Sequence, residues 1–111
     1  MRDYCLNCTR KHLSSALPYM QEEELGYQGH GWLAIGELCH AELEVIRLSP
    51  SIAEAIRATR LQYIEYLNSK NRDLAMVPDV LPLIMMVTAL HDIEAAKLEE
   101  GTVSLFEQPE A

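Results

Sequence analysis

Basic residues are scarce in this chain: nine Lys and Arg stand against 17 Asp and Glu, a formal net charge of −8. Phosphate backbones and anionic lipid surfaces repel such a molecule, which argues against nucleic acid and membrane surfaces as partners. The small basic cluster Arg2, Arg10 and Lys11 does not reverse that balance, and Arg57, Arg60, Lys70 and Arg72 read as solvated charges on a helix and its exit. Cysteine is also sparse, with three in all, an odd number. The first 30 residues lack the charged-then-apolar layout of a secretory signal. Reduced thiols and a cytoplasmic setting follow. The longest uncharged apolar run, Val80 to Leu90, is about half the roughly 20 residues that a membrane-spanning helix needs, and it reads as a buried helix.

Several chemistries lack their motif. There is no Gly-rich phosphate loop, no H-E-x-x-H and no G-x-S-x-G. No E-x-x-E or E-x-x-D falls within a helical stretch, which removes the magnesium ligands that all-helical nucleotide pyrophosphatases use. Cys39 and His40 are adjacent, so on a helix they diverge by about 100° and form no dyad with each other. The chain therefore reads more readily as a binding protein than as an enzyme.

Nothing reads as a strand, and no repeat or low-complexity segment is present. With 49% hydrophobic residues in 111, the sequence supports one helical domain over residues 1–100 and a loosely held tail, "TVSLFEQPEA", over 101–111. A first helix runs from about Asp3 to Leu25 with Leu6, Leu13, Ala16, Leu17 and Met20 inward, and Pro18 should kink or split it. Gly26, Gly29 and Gly31 mark a turn. A second helix, Gly31 to Leu48, carries Trp32, Ile35, Cys39, Leu43 and Ile46 on one stripe. A third begins at a capping box, Ser51-Ile52-Ala53-Glu54, and buries Ile52, Ile56, Thr59, Tyr63 and Leu67. A fourth starts at Asp79 as N-cap and ends near Glu100 and Gly101; its apolar residues cover more than one stripe, as in the most buried helix or a dimer interface. Short connections make the simplest architecture an all-α, antiparallel four-helix bundle with a kinked first helix, metal-stapled at its N-terminus.

The staple would be built on "YCLNCTRKHL", a C-x2-C-x3-H cluster. Cys5, Cys8 and His12 fall within about 60° of azimuth on a helix, which suits zinc, although helical rise separates Cys5 from His12 by roughly 10 Å. Cys5 would have to sit in a non-helical lead-in for all three to reach one ion. A closed site needs a fourth ligand, and Cys39, His40 and His30 are the candidates. In a straight antiparallel pairing with a turn near Gln28, His40 lies within about one turn of His12. The metal-free alternative makes Cys5 and Cys8 small packed residues and His12 a surface histidine. Redox use of the pair lacks the strand setting it normally has.

A second constellation, Glu37 with His40 at E-x-x-H spacing, Glu44 one turn on, and His91 with Glu94, resembles in part the carboxylate and imidazole ligands of ferritin-like iron or manganese bundles. With His12 it defines a rival reading, a non-haem iron or manganese enzyme. The order of the pair is reversed on the fourth helix, so the match is partial.

"CLNCTRKHL" followed by "LGYQGHGWLAIGEL" resembles small uncharacterised proteins of tailed phages and bacterial prophage regions, over roughly residues 5–44. The shared positions are Cys5, Cys8, Lys11, His12, Gly26, Tyr27 and His30; where many of those proteins read Gly-His, this chain reads Gly36-Glu37. The resemblance implies no activity. It strengthens His30 as a fourth ligand and implies a bacterial cytoplasm, the host's if the chain is phage-encoded. The expectation overall is a small acidic, zinc-stapled protein that works by binding another protein, with a homodimer through the fourth helix.

Overall fold

The computed structural model describes the backbone of residues 2–107 and the side chains of residues 5–97. It is all-helical: α1 (Arg2–Glu24), α2 (His30–Val45), α3 (Pro50–Asn68) and α4 (Leu81–Glu107), with one 3-10 turn at Leu74–Met76 before the last helix. No strand occurs among the described residues. Residues 108–111 of the expected tail lie outside them.

Helix α1 continues through Pro18. Its inward face is a regular stripe of Leu6, Thr9, Leu13, Ala16, Met20 and Glu23. Thr9 is fully buried, and its hydroxyl is satisfied by donating to the Cys5 carbonyl at 2.7 Å.

Helix α2 turns a different face inward from the one its largest apolar residues indicate. Gly31, Ala34, Leu38, Ala41 and Val45 are buried, whereas Trp32 (46%), Leu43 (67%) and Ile46 (44%) are exposed. The physical reason is size: glycine and alanine at that seam let two backbones approach, and larger side chains would hold them apart. A Cβ built on Gly31 would lie 2.7 Å from Leu67 Cδ2, 3.0 Å from the Tyr63 hydroxyl and 3.1 Å from Glu23 Oε1.

Helix α3 is capped two residues before the expected capping box at Ser51. Ser49 is the N-cap and accepts from the Ile52 N–H at 3.3 Å, with Pro50 in the first turn. Proline suits that position because its missing N–H has no intrahelical partner there. Ile52, Ala53, Ile56, Tyr63, Tyr66 and Leu67 are buried. Asp79 accepts from the Leu81 N–H at 3.0 Å ahead of α4.

Helix α4 packs on α1 and more lightly on α3. At its start Val80, Leu83 and Val87 enter the core, but Leu81, Met85, Met86 and Ile93 are exposed, so it is not the most buried helix. The radius of gyration, 17.8 Å, exceeds the roughly 13 Å of a compact chain of this length. By length and composition the stretch Leu74–Lys97 is apolar enough to cross a membrane. Its part before Leu81 is not α-helical, however, and such backbone would leave polar groups unpaired in lipid.

Two arginines expected to be solvated are used by the fold. Arg60 pairs with Glu42 at 2.8 Å on the α2–α3 seam, and Arg72 pairs with the buried Glu23 at 2.9 Å. Two glycine substitutions test the packing. Gly31→Ala is expected to lower unfolding free energy by about 1–3 kcal/mol through overpacking. Gly36→Ala, whose Cβ meets nothing within 4 Å, is expected to raise it by about 0.5–1 kcal/mol. Urea denaturation of the two variants reads both signs.

Candidate functional site

The N-terminal half of α1 and the middle of α2 bring together part of the expected site. His12 Nδ1 lies 2.7 Å from Glu37 Oε2, and both side chains are about one-quarter exposed. A carboxylate only accepts, so the imidazole donates from Nδ1, and in the neutral ring Nε2 is left with a free lone pair. The His40 ring lies beside it, 5.2 Å between centroids and tilted by 39°. Cys8 is half-buried one helical turn before His12, and a side chain on a helix leans back over the turn that precedes it.

Of the other expected residues, Cys5 and His30 lie apart from that group. Cys5 is half-buried and already inside α1, as the Thr9 hydrogen bond to its carbonyl shows. The non-helical lead-in needed to bring it to His12 is absent, and the rise between them is about 10 Å. His30 opens α2 at the far end of α1. It is held by Glu22 through Nδ1, with the Tyr19 and Tyr27 rings 6.0 and 5.5 Å from its own. Cys39 is half-buried on α2. His91 faces Asp92 at 3.9 Å on α4. Among the described residues, no three His, Cys, Asp or Glu side chains converge as a group able to hold a metal ion.

A polar cluster that motif reading missed lies at the opposite end of α1. Glu23 Oε1 accepts from the N–H groups of Gly29, at 3.1 Å, and Gly31, at 2.8 Å, while Oε2 accepts from Arg72 at 2.9 Å. The carboxylate thus caps α2, whose own N-cap Gly29 sits at φ 92° with no side chain to offer. Burial pushes the Glu23 carboxyl up, but the Gly31 N–H, Arg72 and the Gly29 N–H outweigh it and hold the group below its ordinary value. Arg72 also donates to the Leu67 carbonyl and lies over the Tyr66 ring. Tyr66 donates to Glu24 at 2.6 Å. Burial first, then the neighbouring carboxylates, push the Tyr63 and Tyr66 phenols up to about 12. Two surface hollows adjoin this end. One of about 470 Å³ lies against Met20, Leu25 and Val80, and one of about 410 Å³ lies between Gly29, Trp32 and Arg72. Nothing in a run of three glutamates marks Glu23 as the buried one; only its place on the α1 stripe does.

No protein-family model matches the chain, and no curated protein or solved structure does either.

Because Glu23 titrates lower in the folded chain than in the unfolded one, its contribution is present above the unfolded value and is lost as pH falls through the ordinary carboxylate range toward the folded value. Glu23→Gln is expected to reduce stability at neutral pH by about 1–3 kcal/mol and to flatten this part of the acid limb. Unfolding free energy measured between neutral and strongly acid pH checks both.

Proposed function

We propose that this chain is a small acidic protein that works by binding protein, first of all a second copy of itself, through the exposed face of α4, and that a zinc ion ties α1 to α2. The observation that carries the reading is the uncovered apolar surface of α4, where Leu81 is 52%, Met85 70% and Ile93 51% exposed on a helix with little packing of its own. Charge supports a second copy as the occupant. Two molecules of charge −8 repel, and the stretch from Val80 to Leu90 bears no charged side chain, so it is where they can meet. In this reading the four helices run antiparallel, α1 bends at Pro18, and the setting is cytoplasmic, the host's if the chain is phage-encoded. Neither a membrane nor nucleic acid is a partner.

A second reading, an iron or manganese enzyme, draws support from the His12, Glu37 and His40 contact, which it shares with the zinc tie. It additionally needs Glu44, His91 and Glu94. Metal identity separates the two readings, since a thiolate ligand favours zinc over manganese.

Light scattering after size exclusion is expected to give twice the 12.6 kDa chain mass at micromolar concentration. Met85→Glu combined with Ile93→Glu should return a monomer of unchanged helix content. A wild-type monomer at about 100 μM would remove self-association from the proposal.

A further inference from the structure

The end of the bundle where α1 finishes and α4 begins carries an interaction surface of its own, apart from the outer face of α4. We infer that it docks a basic, amphipathic segment of another protein, whose apolar side chains enter the hollow between α1 and residues 77–80 while its Lys or Arg residues meet the carboxylates around it. This shares with the reading above only the premise that the chain works by binding protein, and it does not depend on self-association.

Three observations lead there. First, the hollow of about 470 Å³ is walled by Leu17, Met20, Leu25, Val77, Pro78 and Val80, so it offers contact to apolar groups. Met20 and Val80 are buried and Leu25 is exposed, so the apolar wall runs from the core out to the surface. Second, the apolar surface continues beyond that hollow. Met76, next in the chain to Val77 and exposed, lines a smaller hollow of about 120 Å³ together with Tyr66, Glu65 and Asp73. Leu74, also exposed, belongs to the same 3-10 turn. Two open hollows side by side suit successive anchor side chains of a peptide segment, whereas a small molecule is held in a pocket that encloses most of its surface. Third, the charge at both hollows has one sign. Glu24 and Asp79 line the first, Glu65 and Asp73 line the second, and among the described residues no Lys or Arg lines either. Glu24, Asp73 and Asp79 each engage one carboxylate oxygen inside the protein, with the Tyr66 hydroxyl and with the Ala75 and Leu81 N–H groups, and the second oxygen of each can accept from a partner. An acidic occupant, a second copy of this chain at −8 included, is repelled from such a surface, and a cationic segment is drawn to it.

The test is selection of a random peptide library on the full-length protein, followed by anisotropy titration of the enriched peptide and amide NMR of the complex. The enriched sequences are expected to combine Leu, Phe or Met with Lys or Arg, and the shifted amides to centre on Leu25 and residues 76–80. Glu24→Gln combined with Asp79→Asn keeps the internal acceptors but removes two charges, and should weaken binding at least about threefold. Leu25→Ser should weaken it by about tenfold. Glu54→Gln combined with Asp92→Asn removes the same charge elsewhere and should leave affinity within about twofold. No enrichment, enriched peptides that are acidic or uncharged, shifts centred on the outer face of α4, or equal effects from the two charge pairs would overturn the docking site. The variant carrying Met85→Glu and Ile93→Glu should bind the peptide as the wild type does; loss of binding there would place the dock on α4 and overturn it too. A wild-type monomer, which removes self-association, leaves this surface standing.

Discussion

The fold depends on one buried carboxylate. Glu23 is 7% exposed, and its two oxygens receive two backbone N–H groups from the start of α2 and the guanidinium of Arg72 beyond α3. A charge in that position is tolerable only because every lone pair facing the protein has a donor. The geometry dictates its neighbours. Gly29 must adopt a positive φ to aim its N–H at the carboxylate, and Gly31 must lack a Cβ because Tyr63, Leu67 and Glu23 itself crowd the space. The Tyr66 ring, stacked on Tyr63 at 5.9 Å, supports the arginine from below. Helix order, turn glycines and aromatic placement at this end all follow from the same anion.

Much of the architecture was legible in the residues. Helix α1 showed its core face because Leu6, Leu13, Ala16 and Met20 are apolar at helical spacing, and α3 did so through Ile52, Ile56, Tyr63 and Leu67. Helix α2 misled because hydrophobicity and close packing point to different stripes. Trp32, Leu43 and Ile46 dominate any apolar pattern, while Gly31, Ala34 and Ala41 make the contact. Spacing also placed His12 near His40. It did not give Glu37 its partner, because that depends on how α2 is rotated about its axis.

Helix α4 has a different standing from the other three. The α1–α2 seam is extensive and α2–α3 is well packed, whereas among the described residues the α4 region gives the core Val80, Leu83 and Val87, with Ile84 and Leu90 partly buried against it. Its outer face is therefore decided by what surrounds the protein, not by the bundle.

The last turn of α1 presents three successive glutamates, each about 100° from the next, to three separate destinations. Glu22 takes His30, Glu23 takes the α2 start and Arg72, and Glu24 takes Tyr66 on α3. Opening any of these groups exposes the others, so the end of α1, the start of α2 and the end of α3 constitute one cooperative unfolding unit. The N-terminal part of α1 takes no part in this clasp. Hydrogen exchange along α1 is therefore expected to be graded, slower near Glu23 than toward Cys5.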